Sequence, residues 1–280
     1  MGLLSDKAFV VAEIGLAHMG WVDTAEDMIE QFSCADAVKF QVYDTNELID
    51  KTRDPVRYQR FREREFTFGD ISYLKHVAKE CGVEFFASAH TAGWVDKLRK
   101  LGVFAYKVGS GESADSEIIR KCRKTGKPVI ISTGLRSGNE VFKLMDMYDH
   151  HNTVFMHCIT QYPTYSPQLG FMRSMMEYMP RGDMRYGEVG YSCHYPGIQA
   201  CVTAAAMGAT VIEKHVKLDI SDGQDINAAL YPHEFEAMVD EIRETEAIIG
   251  SNNREYSQEE RGNEVWAKKG MDGKRPLESQ

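Results

Sequence analysis

Eight short runs rich in Val, Ile and Phe alternate with longer amphipathic stretches along this chain, and that rhythm narrows the folds open to it. The candidate strands are Ala8–Ile14, Ala37–Val42, Glu84–Ser88, Ala105–Val108, Pro128–Ser132, Thr153–His157, Arg185–Val189 and Thr210–Lys214. The clearest helical pattern is the last, where Phe235, Met238, Val239, Ile242 and Ile249 fall on one face of a helical repeat. Strands separated by helices imply right-handed parallel crossovers, and eight such units close into a (β/α)8 TIM barrel of the α/β class. With 280 residues the chain has room for one such barrel, which takes about 250. An open doubly wound sheet is the competitor and would carry G-x-G-x-x-G after its first strand. Here that strand ends in AEIGLAHMG, which does not match.

Two segments break the rhythm. Asp44–Phe66 is long, charged and aromatic, and reads as an extended loop over the barrel mouth. From Gly250 onward Asn, Glu, Lys and Gly dominate, so the barrel is expected over residues 1–249 and a polar extension or linker over 250–280. The net charge of -9 argues against a sequence-independent grip on nucleic acid, which needs a basic face. It leaves room for an anionic substrate, because a site can be locally positive inside an acidic protein. The six cysteines are scattered without a C-x-x-C pair and read as buried free thiols in a reducing compartment. No signal-like N-terminus and no membrane-length apolar run is visible, so a soluble cytoplasmic protein is expected.

In this fold, catalytic groups project from the C-terminal ends of the strands into one shared mouth. The first strand ends at Glu13, the second carries Lys39 and Gln41, and the third ends with Ser88. The fourth gives Lys107 and a Gly-Ser-Gly-Glu turn with Ser110 and Glu112, and the fifth gives Ser132 and Thr133. Thr160 and Tyr162 follow the sixth, Ser192 and His194 the seventh, and Glu213 and His215 close the eighth. Two lysines with serines near glycines hold phosphate and carboxylate groups through charge and backbone N–H donors. Two histidines on adjacent strands, with a carboxylate opposite, suit a divalent metal with open positions that polarises an aldehyde oxygen.

Plainer readings stand beside these. A strand lysine can be a core residue paired with Glu, Glu213 a partner of Lys107 or Lys39, and the VGSGE glycines a tight turn. His76, His150, His151 and His233 read as surface or packing positions, while His18, His90 and His157 are left open.

The segments AEIGLAHMG, ADAVKFQ, YKVGSGE, PVIISTG, HCITQYP, GYSCHYPG and AAMGATVIEKH resemble, in order and spacing, motifs of the sialic acid synthase (N-acetylneuraminate synthase) family. That family includes legionaminic and pseudaminic acid synthases and a spore-coat relative. Each motif alone is weak; seven in register over residues 8 to 249 are specific. The resemblance implies a transferase that condenses phosphoenolpyruvate with an open-chain, N-acetylmannosamine-like aldehyde. Carbon C3 of phosphoenolpyruvate attacks the aldehyde, water adds at C2, and phosphate leaves with C–O cleavage to give a 2-keto-3-deoxy (nonulosonic) acid.

Residue by residue, the resemblance makes Glu13 a catalytic carboxylate facing the aldehyde, and Glu213 an acid assisting beside the second histidine. Lys39, Ser88, Lys107, Ser110, Ser132 and Ser192 match phosphoenolpyruvate-binding positions, with Ser88 where the family usually has threonine. Gln41, Thr160, Tyr162 and Asp225 match sugar-side positions, and His194 and His215 match two ligands of manganese or magnesium.

The departures bear on the acceptor sugar more than on the fold. Cys193 stands in a motif usually read S-D-H, Thr160 and Ala17 replace frequent asparagines, and Ile226 follows Asp225 where many members have histidine. The family typically adds a C-terminal antifreeze-like domain that reaches across a homodimer and lends an arginine to the sugar. The chain is expected to be too short to hold it, so that a separately encoded polypeptide supplies the lid, the acceptor differs, or activity is weak; Arg53, Arg57, Arg60, Arg62 and Arg64 offer a local substitute. The rival readings are a synthase for sugar-phosphate acceptors, a Schiff-base aldolase using Lys107, and a binding relative without turnover.

Overall fold

The computed structural model describes residues 7–148, 152–179, 188–251, 253–271 and 273–275. Eight strands, β1 (Phe9–Gly15), β2 (Ala37–Val42), β3 (Glu84–Ala89), β4 (Tyr106–Val108), β5 (Val129–Ser132), β6 (Thr153–Cys158), β7 (Glu188–Cys193) and β8 (Val211–His215), pair in parallel in chain order. β1 also pairs with β8, which closes the barrel and removes its edges. The helices are α1 (Val22–Gln31), α2 (Thr45–Leu48), α3 (Pro55–Glu63), α4 (Phe68–Glu80), α5 (Ala92–Leu101) and α6 (Ser116–Arg123). They continue with α7 (Gly138–Met147), α8 (Leu169–Tyr178), α9 (Gln199–Ala206), α10 (Pro232–Ile249) and α11 (Gln258–Ala267), with a 3-10 turn at Asp225–Ala228. The TIM barrel expected from the eightfold alternation is the fold of this chain.

Successive side chains on a strand point to opposite faces, and here both faces are buried for different reasons. Val10, Ala12 and Ile14 of β1, with Val38, Phe40 and Val42 of β2, pack outward against Ala25, Met28 and Ile29 of α1. The alternate set, Phe9, Val11, Ala37, Phe86, Ile130, Met156 and Val211, forms a separate apolar plug inside the barrel. Two residues further along β1, β2, β3, β5 and β8 the inward position turns polar. Val11 gives way to Glu13, Ala37 to Lys39, Phe86 to Ser88, Ile130 to Ser132, and Val211 to Glu213. The plug is a dry floor, and the polar layer above it is the base of the mouth.

Several expectations need correction. The seventh strand runs Glu188–Cys193, later than the Arg185–Val189 proposed; Arg185, with His150 and His151, lies outside the described residues. That strand is rich in small and polar residues, Gly190 and Ser192 among them, which hides it from a search for Val and Ile. Asp44–Phe66 is not an extended loop but contains α2 and α3. Asp44 caps α2 through Asn46 N, and Asp54 caps α3 through Arg57 N with Pro55 at the first turn. Segment 250–280 contains α11, capped by Ser257 and burying none of its residues. The chain forms two compact units, Met1–Glu246 and Ala247–Gln280. Cys34 is exposed, unlike the buried Cys122, Cys158, Cys193 and Cys201. Among the described residues no helix is long and apolar enough to cross a membrane.

In α10, Phe235, Met238, Val239 and Ile242 are buried as the periodicity requires, but Ile249 is 53% exposed. Phe235 meets Phe32 of α1 edge-on at 5.5 Å. Phe235→Ala is therefore expected to cost about 3–5 kcal/mol, and Ile249→Ala no more than about 0.5 kcal/mol. Urea denaturation of the two variants measures both.

Candidate functional site

Strand register brings the polar layer together. Glu13 pairs with Lys39 across β1 and β2, and with His215 across β1 and β8. Gln41 lies opposite Ser88, Ser88 opposite Lys107, and Ser192 opposite Glu213. A cavity of about 580 Å³ opens above them at the C-terminal ends of the strands. Every residue to which the resemblance gave a catalytic, substrate or metal role lines it: Glu13, Lys39, Gln41, Ser88, Lys107, Ser110, Ser132, Thr160, Tyr162, Ser192, His194, Glu213, His215 and Asp225; Thr133 does not.

The floor is a lattice of two lysines and two glutamates, all buried. Lys39 Nζ lies 2.6 Å from Glu13 Oε2 and 3.4 Å from Glu213 Oε2, while Lys107 Nζ lies 3.6 Å from Glu213 Oε1. Lys39 also donates to Ser88 Oγ at 3.0 Å, and Lys107 to Ser132 Oγ at 2.7 Å. Gln41 Nε2 donates to Glu13 Oε1 at 2.8 Å, and Ser192 Oγ to Glu213 Oε1 at 3.0 Å. Burial opposes charge on every member, and the partners decide the outcome. Burial works to raise the Glu213 carboxyl, but Lys107, Lys39, His215 and Ser192 hold it well below the usual carboxylate range, at about 2. For Lys39 burial is outweighed by Glu13 and Glu213, and its pKa rises. For Lys107 burial wins over the attraction of Glu213, with Lys39 adding repulsion, and its pKa falls. The two readings of the lysines are thus compatible: each has a glutamate partner, and each lines the cavity.

His194 and His215 stand beside this floor with ring centroids 5.4 Å apart. His194 Nδ1 is 2.7 Å from the carbonyl of Ile159, so Nδ1 carries the proton and Nε2 keeps its lone pair. Burial, reinforced by His215, pushes the His194 pKa down to about 3, which keeps the ring in the neutral form that ligates metals. Tyr162 packs over it at 3.9 Å. Among the described residues no three His, Cys, Asp or Glu side chains form a ready-made metal cage. The donor set therefore fits a divalent ion that takes its remaining ligands from water or substrate oxygens, and does not fit a closed structural site.

Some lining residues have no site role, or only a general one, on the sequence alone. His90 and Glu112 form a hydrogen-bonded pair on the wall, Cys158 lies on the inner face of β6, and Arg57 and Arg60 reach the mouth from α3. Arg57 and Arg60 are expected from the sequence as part of a substitute lid; what that expectation misses is the helix that carries them, which its Asp54-Pro55 start announces. Arg53, Arg62 and Arg64, from the same segment, are not at this cavity. They pair with Asp50, Glu65 and Asp222 respectively. His18 is buried on Phe66, and His157 bonds the carbonyl of Pro167, so both belong to packing.

The sequence profile of the NeuB family matches residues 28–254. This chain belongs to the NeuB family. The membership makes it a synthase of the sialic, legionaminic and pseudaminic acid synthase group, as the seven motifs imply. N,N'-diacetyllegionaminic acid synthase of Legionella pneumophila is 31% identical to this NeuB-family chain, over 91% of it and 77% of the relative. An uncharacterized protein of Methanocaldococcus jannaschii is 33% identical over 97% and 81%, and N-acetylneuraminate-9-phosphate synthase of Mus musculus 31% over 88% and 72%. The crystal structure of N-acetylneuraminic acid synthetase from Leptospira borgpetersenii, in complex with citrate, superposes with a TM-score of 0.81 at 24% identity. It covers 92% of this chain and 90% of that one, which bears on the fold.

The lattice makes two predictions. Lys39→Ala leaves Glu13 buried with one amide partner and should cost about 3–5 kcal/mol, with much of the loss recovered when Glu13→Gln is added. Thermal melting of the single and double variants decides this. Glu213 is held at about 2 in the folded chain against an ordinary 4.5, so its contribution to stability is complete above 4.5 and is lost as pH falls toward 2. Glu213→Gln should flatten that acid limb in denaturation curves taken across pH; an unchanged limb contradicts the ion-pair geometry.

Proposed function

We propose that this NeuB-family chain condenses phosphoenolpyruvate with an N-acetylated amino-sugar aldehyde, giving a nonulosonic acid and inorganic phosphate. The observation that carries the reading is the floor itself. Two buried lysines stand there with hydroxyls that accept from them, next to the His194–His215 pair, in one cavity. Ser88 and Ser132 accept from Lys39 and Lys107, so their own protons are free to donate to an incoming phosphate or carboxylate. Such donors need no rearrangement when charge develops, which is the main source of electrostatic catalysis.

Glu13, beside His215 in the register and bonded to Gln41, stands where the aldehyde is expected and handles the proton of the oxygen formed there. Tyr162, Thr160, Gln41 and Asp225 bound the acceptor side. Thr160 Oγ1 is buried with no hydrogen-bond partner in the protein, which suits it to a sugar hydroxyl or acetamido group. His194 and His215 would hold manganese or magnesium, which when bound supplies Lewis-acid polarisation of the aldehyde oxygen. The dimer, the separately encoded lid and a cytoplasmic setting belong to the same proposal.

A Schiff-base aldolase is the second reading, because burial lowers Lys107 in the direction that such a lysine needs. Phosphate release from phosphoenolpyruvate, followed over a panel of acetamido sugars and their phosphates, separates the two. Release that depends on an acetamido aldehyde is expected. Covalent trapping of pyruvate by borohydride, without phosphate release, would move the assignment to the aldolase.

Arg57 and Arg60 line the cavity, whereas Arg53 and Arg62 are exposed and paired along the chain. Arg57→Ala and Arg60→Ala are expected to raise the acceptor KM and spare that of phosphoenolpyruvate, whose contacts come from the floor. Arg53→Ala and Arg62→Ala should change neither. Steady-state kinetics with each substrate varied separately tests the whole set.

A further inference from the structure

The reaction as described leaves one acid–base pair of the cavity unused. His90 follows β3 two residues beyond Ser88, which is two beyond Phe86 of the interior plug. His90 therefore lies about 7 Å further along the strand direction than the serine that accepts from Lys39. His90 Nδ1 is 2.9 Å from Glu112 Oε1, and both side chains are largely buried. Burial works to raise the Glu112 carboxyl, but the hydrogen bond and charge of His90 outweigh it, and its pKa falls. The carboxylate accepts from Nδ1–H, which leaves Nε2 as the ring nitrogen that can exchange a proton. Nε2 is buried and has no hydrogen-bond partner in the protein.

The surroundings hold the pair in place. His90 N donates to Val42 O at 2.9 Å, and the ring of Tyr43 meets the imidazole edge-on at 6.3 Å. Glu112 Oε2 lies over Gly109, where a Cβ would stand only 2.5 Å away, so a side chain at 109 would push the carboxylate off its present position. The charged and titratable groups around His90 are Glu112 and Lys107 from β4 and its turn, and Tyr43 from the end of β2. Arg57, Arg60 and Asp54 share the cavity from the mouth side. Glu13 and Glu213 already commit their oxygens to Lys39, Gln41, Lys107 and Ser192. Among the described residues of the cavity, His90 alone has a ring nitrogen oriented by a carboxylate hydrogen bond.

We infer that His90 is the general base for the water that adds to C2 of phosphoenolpyruvate, with Glu112 as the positioning residue that fixes its tautomer. The inference rests on the proposed condensation. As the water oxygen bonds to C2, its O–H bond breaks and the proton passes to Nε2. As the C2–O bond to phosphorus oxygen breaks, that proton goes to the departing phosphate. The second water proton, left on the new C2 hydroxyl, is released as the ketone forms and ends on the alkoxide made from the aldehyde. Atoms and charge balance with no further reactant.

The test measures phosphate release and its pH profile for the full chain, His90→Gln, His90→Ala and Glu112→Gln. Expected is a fall in kcat of about 100-fold or more in His90→Gln, little change in KM for phosphoenolpyruvate, and loss of one ionisation from the kcat–pH profile. Free imidazole should restore part of the rate in His90→Ala. Glu112→Gln, which keeps the imidazole, should slow turnover less, and nitrogen-15 spectra should show the His90 proton no longer confined to Nδ1. Phosphate release by His90→Gln with the wild-type rate and profile overturns the dyad alone. No release by the wild-type chain with any acceptor overturns the condensation, and the dyad with it.

Discussion

Four charges buried on the floor of the barrel set the terms for the rest of this structure. Glu13, Lys39, Lys107 and Glu213 sit above an apolar plug where a lone charge would cost several kcal/mol, and each is tolerated because strand pairing delivers its partner. The closure of β1 on β8 is what makes this possible, since Glu13 then meets Lys39 on one side and His215 on the other. An open sheet would leave one of those contacts unmade. The network is balanced in charge, so it survives burial, yet its serines and lysines keep donors turned toward the cavity.

The walls depend on a second set of contacts. The loops after β1, after β2 and after β8 lock into one another at the mouth. Arg64 donates to Asp222 O at 2.9 Å, and Ser221 Oγ to Ala17 O at 2.9 Å. Gly20, at a φ of +86°, packs so closely on the carbonyl of Glu63 that a Cβ would stand 2.1 Å from it. These contacts hold α3 beside the mouth and place Asp225 within the cavity lining. The arginines of α3 divide accordingly: Arg62 pairs with Glu65, and Arg57 and Arg60 line the cavity.

The barrel and most of its site were legible in the sequence because both follow from strand periodicity. Once eight strands are placed, their inward C-terminal residues are fixed to within a position, and Glu13, Lys39, Ser88, Lys107 and Ser132 follow. The resemblance to sialic acid synthases added Asp225, which lies on a 3-10 turn beyond the strand pattern. The seventh strand was displaced because Gly190 and Ser192 carry no β-branched signal, yet Ser192 and His194 were still found through their motif. The segment Asp44–Phe66 was misread as extended because its apolar face is thin: Phe61 is the buried residue of α3, and capping by Asp54 with Pro55 defines the helix. His90 was left open since its meaning lies in Glu112, which comes from another strand.

The account stands or falls on how phosphoenolpyruvate loses its phosphate in this cavity. The direct measurement uses phosphoenolpyruvate carrying oxygen-18 in the bridging position, with turnover in ordinary water and an acetamido aldehyde as acceptor. Addition of water at C2 followed by C–O cleavage places all of the label in inorganic phosphate and none in the keto acid. Label retained in the keto acid would mean cleavage at phosphorus, and would contradict the role assigned to the floor and its neighbours.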